Sequence, residues 1–115
     1  MTYYICGPMT GLPSLNYPAF DAIEKALREL GVEAFNPAAV GRRVAGDKPP
    51  SQLQMRAVMR ENLIALTQCD GVVLLRGHNL SRGASIEIAL ARYLGLTITT
   101  QTMVERGTLG MEEAS

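Results

Sequence analysis

The fold of this chain is constrained most by short apolar runs that alternate with longer segments of helical periodicity. The predicted strands are residues 3–6, 32–35, 72–75 and 96–101. The predicted helices, with apolar residues at helical spacing, are residues 17–30, 52–67 and 83–94. Strands that alternate with helices in this way predict a parallel sheet with right-handed crossovers and helices on both faces.

The predicted architecture is a single α/β domain, a flavodoxin-like or Rossmann-like three-layer sandwich with a four- to five-stranded parallel sheet. The chain has 115 residues, 47% of them hydrophobic, which suffices for one core without metal or disulfide support. Residues 1–103 are assigned to the domain and residues 104–115 to a frayed polar tail. Residues 38–51 show no periodicity and are predicted to form a long mobile loop, whose Arg42, Arg43 and Lys48 either close over a phosphate or are simply solvated.

Composition excludes several classes of function. Lysine and arginine total 11 residues, aspartate and glutamate also 11, so no net field attracts a nucleic acid polymer or an anionic membrane. No apolar run approaches the roughly 20 residues that span a bilayer, and no secretory signal is recognisable. Cys6 and Cys69 each adjoin a predicted buried strand and are expected to be reduced thiols. We therefore expect a cytoplasmic protein with a small-molecule partner.

Two loops are predicted to meet at the ligand-binding edge of the sheet. In parallel sheets ligands bind beyond the carboxyl ends of the strands, where strand order reverses. With the order 2-1-3-4, that point joins the loops after strands 1 and 3. The first loop is Gly7-Pro8-Met9-Thr10-Gly11, whose glycines allow backbone amides to approach a phosphate or a sugar. A plain tight turn explains the same residues equally well.

The second loop, Ser81-Arg82-Gly83-Ala84-Ser85-Ile86-Glu87, leads directly into a helix. The free amides and the dipole of a helix start attract anions, and Ser81 and Arg82 add a hydroxyl and a guanidinium. A phosphate is the natural guest. The alternative is that Ser81 only caps the helix and Arg82 is solvated.

Glu87 is the leading chemical group of the chain. With a core-facing stripe at residues 86, 89, 90 and 93, it is expected in the first helical turn, on the flank that faces the sheet's edge. There the dipole and the amides lower the pKa of a carboxylate, which suits a nucleophile or an electrostatic stabiliser of positive charge. The structural alternative is a carboxylate that merely complements the dipole.

Three other polar residues bear on the site. Asn62 shares a helical stripe with Met55 and Met59, so it is expected to point toward the core and to reach the ligand edge. Asp70 precedes strand 3 and is expected in a turn at the opposite edge. His78 is the only histidine and has no cluster of cysteines or carboxylates at metal-ligand spacing. It is predicted to be a loop residue near the site, and neither a metal nor another cofactor is expected.

Several short motifs occur together in a characteristic order. They are Tyr4-Ile5-Cys6-Gly7-Pro8, Asn36-Pro37, Cys69-Asp70-Gly71-Val72-Val73 and Ser81-x-Gly83-x-x-x-Glu87. In this order and spacing, over nearly the whole chain, they resemble the nucleoside 2-deoxyribosyltransferase-like superfamily, and most of all its small bacterial and phage members.

The resemblance implies a reaction and an assembly. In that family a glutamate matching Glu87 attacks C1′ of the deoxyribose, and water or a second base then takes the sugar from the covalent intermediate. In the branch that hydrolyses deoxynucleoside 5′-monophosphates, a serine and a glycine matching Ser81 and Gly83 help bind the 5′-phosphate, which favours a nucleotide over a nucleoside. Relatives usually form dimers or larger assemblies in which a neighbour completes the pocket. A homodimer or higher homo-oligomer is therefore expected.

The chain departs from the family at one position. Members usually carry an aspartate at the position of Asn62, where it assists departure of the base. An asparagine forms hydrogen bonds but cannot deliver a proton in the same way. Asn62 is therefore expected to position the leaving base.

The resulting prediction is an N-glycosidase or 2-deoxyribosyltransferase that cleaves the N-glycosidic bond of a (deoxy)nucleoside 5′-monophosphate or nucleoside, with Glu87 and Asn62 as catalytic residues. The predicted substrate-binding residues are Tyr4, Gly7, Pro8, Met9, Gly11, His78, Ser81, Arg82 and Gly83. The alternative is a module of the same fold that binds or senses a nucleotide without turnover. A third reading is an α/β interaction domain with no ligand.

Overall fold

The computed structural model describes residues 1–110 as a four-stranded parallel sheet covered by helices on both faces. The strands are β1 (Thr2–Cys6), β2 (Glu33–Phe35), β3 (Gly71–Leu74) and β4 (Thr97–Thr100). The helices are α1 (Tyr17–Glu29), α2 (Pro37–Ala45), α3 (Gln52–Gln68), α4 (Arg82–Leu94) and α5 (Gln101–Glu105). The strand order is β2-β1-β3-β4, all parallel. The predicted α/β fold class and the strand order 2-1-3-4 are confirmed.

The central strand β1 divides the core between the two faces of the sheet, because successive side chains of a strand point to opposite faces. Tyr3 and Ile5 lie in the cluster that α1 and α5 cover. Tyr4 and Cys6 lie in the cluster that α3 and α4 cover. Tyr4 and Cys6, which are two residues apart on β1, thus share one face and meet the helix that carries Glu87.

Capping residues fix where the helices on that face begin. Ser51 and Gln54 form a reciprocal capping box at the start of α3. At the start of α4, Ser81 Oγ accepts a hydrogen bond from the backbone N–H of Ala84 at 3.1 Å. Gly95 closes α4 in the left-handed conformation, with φ of 72°. Both helices therefore lie within about one residue of the predicted bounds.

The prediction of a mobile loop at residues 38–51 is wrong, because α2 occupies Pro37–Ala45. Asn36 caps this helix by accepting a hydrogen bond from the backbone N–H of Ala38 at 2.9 Å, and Pro37 lies in its first turn. Small residues such as Ala38 and Gly41 build much of its buried face. Long apolar side chains, which reveal helical periodicity in a sequence, are scarce on that face.

Two arginines of α2 are held by carboxylates of neighbouring helices. Arg42 pairs with Asp21 and lies over the ring of Tyr17, 4.8 Å from its centroid. Arg43 pairs with Glu61 on α3. These contacts hold α2 against α1 and α3.

The buried face of α4 also differs from the predicted stripe. Ala84, Glu87 and Ala91 are buried, whereas Ile86 and Tyr93 are 54% and 87% exposed. Residues 84, 87 and 91 recur at helical spacing and form one face. The two alanines on it keep this face flat, and Glu87 lies over the sheet instead of on the helix flank.

The end of the described chain packs more closely than predicted. Helix α5 follows β4 directly, Val104 is buried, and Leu109 packs on the same cluster. The described part of the predicted frayed tail, residues 104–110, is therefore partly ordered against the core. Residues 111–115 lie outside the described residues, and the domain boundary at residue 103 stays a prediction. Among residues 1–110, no helix is long and apolar enough to cross a membrane.

The packing of α2 on α1 can be tested by adding one methyl group. A Cβ at Gly41 would overlap the hydroxyl of Tyr17. Gly41→Ala is therefore expected to lower the free energy of unfolding by ~1–3 kcal/mol, despite the better helix propensity of alanine. Urea denaturation measures the change.

Gly83→Ala is the matched control, since this glycine is also helical but a Cβ there would meet only ordinary contacts, the nearest at 3.6 Å from Met59 Cε. No loss of stability is expected for it. Equal effects of the two substitutions would contradict the described packing of α2.

Candidate active site

A cavity of about 550 Å³ opens at the carboxyl edge of the sheet, between the loops that follow β1 and β3. This is the edge at which ligands bind in parallel sheets. The predicted site residues that line it are Gly7, Pro8, Met9, Asn62, Ser81, Arg82, Gly83 and Glu87. The two loops that the sequence predicted to meet therefore lie together at a cavity whose volume is typical of small-molecule sites.

Glu87 is buried in the wall of this cavity, with 6% of its surface exposed. The hydroxyl of Tyr4 donates a hydrogen bond to Glu87 Oε2 at 2.5 Å. The thiol of Cys6 lies 3.5 Å from Glu87 Oε1, within hydrogen-bonding distance for sulfur. The ring of Tyr4 is in turn stacked on Phe35, with centroids 5.5 Å apart. Two donors from β1 thus hold the two carboxylate oxygens in fixed positions.

The pKa of Glu87 is raised, mainly because burial removes water from the charged form, while the hydrogen bonds from Tyr4 and Cys6 act in the opposite direction. The lowered pKa expected from the helix dipole is wrong. Helix α4 begins at Arg82, so Glu87 lies in the second turn, beyond the free amides. Desolvation decides the direction of the shift.

Tyr4 and Cys6 keep their protons across the neutral range. Burial, reinforced by the neighbouring Glu87 carboxylate, raises the pKa of both groups. Both side chains are fully buried, and neither lines the cavity. Tyr4, predicted to contact substrate, therefore lies behind Glu87 and donates to it.

Asn62 faces the same cavity from α3. Its side chain is only 6% exposed, and its Oδ1 is buried without a hydrogen-bond partner among the described residues. A buried acceptor without a partner costs about 1–3 kcal/mol. The structure therefore brings Asn62 into the wall of the cavity, at the edge that the sequence predicted it to reach.

The start of α4 forms the other end of the cavity. Ser81 caps the helix, as in the structural alternative, yet it also lines the cavity together with Gly83. Arg82 is exposed and lines the same end. A hydroxyl, a guanidinium and a glycine that leaves room beside the backbone are therefore grouped at one helix start.

Other predicted residues lie outside the cavity wall. Gly11 is exposed with φ of 85°, as a turn requires. The Nδ1 of His78 lies 2.9 Å from the carbonyl oxygen of Leu75, and the side chain is half-buried. Asp70 accepts a hydrogen bond from the backbone N–H of Thr2 at the opposite edge of the sheet. Among the described residues, no group of three or more metal-ligating side chains comes together.

Sequence reasoning missed two features of the site. The first is Cys6, read only as a buried thiol, although it lies two residues from Tyr4 and therefore shares its face. The second is the apolar wall of the cavity, which includes Met55 and Met59 from α3 and Leu80 and Ile86 near the start of α4. Leu80 and Ile86 are 85% and 54% exposed, so the mouth of the cavity has an apolar rim.

Comparison with known proteins assigns the chain to a family. Residues 1–100 match the family described as Domain of unknown function (DUF4406). The chain belongs to the DUF4406 family. A structure of a 2-deoxyribosyltransferase from the psychrotolerant bacterium Bacillus psychrosaccharolyticus is similar to it with a TM-score of 0.67. The alignment covers 87% of this chain and 71% of that chain at 19% identity. No curated protein sequence matches the chain.

This DUF4406 chain therefore has a nucleoside 2-deoxyribosyltransferase-like fold, as its motifs predicted. The TM-score of 0.67 establishes the fold, and an identity of 19% leaves substrate and mechanism to the geometry of the site. The homo-oligomer implied by the resemblance stays a prediction.

The raised pKa of Glu87 has a consequence for stability. Between the unfolded and folded pKa values the folded state binds the extra proton, so this group's contribution to stability is full at low pH and is lost as pH rises through the folded pKa. Glu87→Gln removes the buried charge. The free energy of unfolding is measured by denaturant titration. Its value for the variant should increase relative to that of the wild type as pH rises from about 4 to about 8.

Glu105→Gln provides a control of opposite sign. Glu105 is exposed, and its hydrogen bond with Arg76 lowers the pKa of its carboxyl. Its stabilising contribution is present above the unfolded pKa. The free energy of unfolding of this variant should therefore decrease slightly relative to that of the wild type as pH rises. A Glu87→Gln difference that stays constant with pH would contradict the raised pKa.

Proposed function

We propose that this protein cleaves the N-glycosidic bond of a deoxynucleoside 5′-monophosphate, with Glu87 as the nucleophile that attacks C1′ of the sugar. The carrying observation is the geometry of Glu87, a buried carboxylate in a cavity wall whose two oxygens are held by Tyr4 and Cys6. A carboxylate that only complemented a helix dipole would not need burial or two dedicated donors.

The chemistry of this arrangement suits a developing oxocarbenium ion. An anion fixed in a water-poor site stabilises positive charge at C1′. Like the nucleophilic carboxylate of retaining glycosidases, it can also form a covalent glycosyl intermediate. Desolvation raises the energy of the free carboxylate, and that energy is recovered as its charge is neutralised by the sugar. Whether water or a second base accepts the sugar distinguishes a hydrolase from a transferase.

The nucleotide is favoured over the free nucleoside by the opposite end of the cavity. The start of α4 presents Ser81, Arg82 and Gly83 to the cavity, and helix starts are suited to phosphate. The similar structure belongs to a 2-deoxyribosyltransferase described as a biocatalyst for the synthesis of nucleosides. This likeness in fold supports a nucleoside or nucleotide as the substrate class.

Glu87→Ala should abolish turnover if this proposal is right. The wild type is incubated with each deoxynucleoside monophosphate, and free base is measured by chromatography. The variant should release base at least about 10³-fold more slowly, which corresponds to about 4 kcal/mol in the barrier. Glu61→Gln is the matched control, because Glu61 is exposed on α3 and paired with Arg43. Equal base release by wild type and Glu87→Ala would refute the proposal.

A binding module without turnover is the second candidate, and Asn62 is the observation that favours it. An amide in the cavity wall offers hydrogen bonds but no transferable proton. In this case a mononucleotide binds saturably, as calorimetry would show, while no base is released.

Asn62→Asp separates the two candidates. A buried aspartate in the same cavity as Glu87 would have a raised pKa, from burial and from the like charge, and would act as a general acid toward the leaving base. Base release should rise by about 10²-fold or more. Asn62→Leu, which fills the position without hydrogen bonds, should bring no gain. If Asn62→Asp also brings none, a missing proton donor does not limit the reaction.

A further inference from the structure

The two oxygens of Glu87 are held by donors of very different strength. The Tyr4 hydroxyl is 2.5 Å from Oε2, a short and strong hydrogen bond to a carboxylate. The Cys6 thiol is 3.5 Å from Oε1, and a thiol is a weak donor. Oε1 is therefore the less encumbered of the two oxygens.

The thiol of Cys6 also has a second acceptor within reach. Its sulfur lies 3.6 Å from the backbone carbonyl oxygen of Ala84, one turn before Glu87 on α4. A thiol carries a single proton, so it donates to one acceptor at a time. While Glu87 is ionised, its Oε1 is a better acceptor than the carbonyl oxygen of Ala84. Once Glu87 is a neutral carboxyl or an ester, its Oε1 is the poorer acceptor.

We propose that Cys6 is a positioning residue whose thiol proton changes acceptor with the charge on Glu87, from Oε1 of the carboxylate to the carbonyl oxygen of Ala84. The buried donor then has a partner in both states, and no buried polar group is orphaned when Glu87 loses its charge. The Tyr4 hydroxyl stays on Oε2 throughout.

This arrangement, together with the proposed function on which this step rests, makes Oε1 the attacking atom. A lone pair of Oε1 forms the bond to C1′, and the C1′–N bond breaks with its electron pair leaving on the base, which takes a proton from water. Oε2 becomes the ester carbonyl oxygen, still a good acceptor for Tyr4, while Oε1 becomes a poor acceptor and the thiol turns to Ala84. A second water then attacks C1′ and gives a proton to the hydroxide left by the first, and the C1′–Oε1 pair returns to Oε1.

The polar and charged groups around Glu87 determine which changes of charge the Cys6 thiol experiences. Tyr4 and Cys6 face it from β1. From α3 the polar group in the same cavity is the neutral amide of Asn62, and from α4 itself it is the exposed Arg82. Among these groups, Glu87 is the one that changes charge next to the thiol as pH falls, because burial keeps the protons on Tyr4 and Cys6.

The infrared S–H stretching band reports the acceptor directly. The chain has two cysteines, and burial raises the pKa of Cys69 to about 11, so both thiols are protonated near neutral pH. Cys69→Ala leaves the band of Cys6 alone. If that variant folds poorly, the difference spectrum between the wild type and Cys6→Ala isolates the same band. The band should shift to higher frequency when pH is lowered until Glu87 is protonated, and Glu87→Gln should show the shifted band at neutral pH. A band that neither change moves would overturn the proposal.

Kinetics with deoxynucleoside monophosphates distinguish the role of the thiol from that of Tyr4. Cys6→Ala should lower kcat on the alkaline plateau less than Tyr4→Phe does and should move the acidic limb of the kcat/KM profile to higher pH, because a bond that favours the charged form is lost. Tyr4→Phe should lower kcat by about 10²-fold or more, because its bond is needed throughout the reaction. Equal losses of kcat in the two variants would overturn the assignment of Oε1.

The proposed function and this inference fail in different ways. A moving S–H band without any base release would refute the proposed function and leave the change of acceptor standing. Base release with a static band would refute the change of acceptor alone.

Discussion

The hydrogen bond between Tyr4 and Glu87 is the contact on which the site depends. A carboxylate buried to 6% exposure is expensive unless donors compensate it, and the backbone of a helix interior has no free N–H group to offer. Strand β1 provides the donors instead, since Tyr4 and Cys6 lie two residues apart and point to the same face. The central position of β1, between β2 and β3, buries that face, and Phe35 of β2 fixes the ring of Tyr4. The site is therefore an extension of the core.

The elements whose sequence carries a strong period or cap could be predicted. The apolar runs of β1 and β3 and the periodic residues of α1 and α3 predicted the parallel sheet, and Asn62 was recognised because a polar residue interrupts an apolar stripe. Helix α2 could not be recognised that way, since Ala38 and Gly41 bury its face without any large side chain. On α4 the predicted pattern of buried apolar and exposed polar residues is reversed. Glu87 itself takes a core-facing position, while the apolar Ile86 and Tyr93 are exposed.

The electrostatics of the site could be anticipated only in part. Sequence reasoning found a carboxylate near a helix start and weighted the dipole, which lowers a pKa. Burial under the sheet-facing side of α4 outweighs that effect, and its extent depends on packing between residues far apart in the chain, such as Tyr4 and Glu87. The partners of Glu87 were hidden for the same reason. Asn62 differs from Glu87 in this respect, since its Oδ1 is buried and has no hydrogen-bond partner among the described residues.

The central claim is that Glu87 becomes covalently bonded to the sugar, and mass spectrometry of tryptic peptides tests it most directly. The protein is mixed with a deoxynucleoside monophosphate, quenched in acid and digested with trypsin. Cleavage after Arg82 and Arg92 yields a peptide of residues 83–92 in which Glu87 is the only side-chain carboxylate. The account predicts an added deoxyribose 5-phosphate on this peptide in the wild type and none in Glu87→Gln. Base release by the wild type with an adduct on another residue, or with none on this peptide under any quench time, would contradict it.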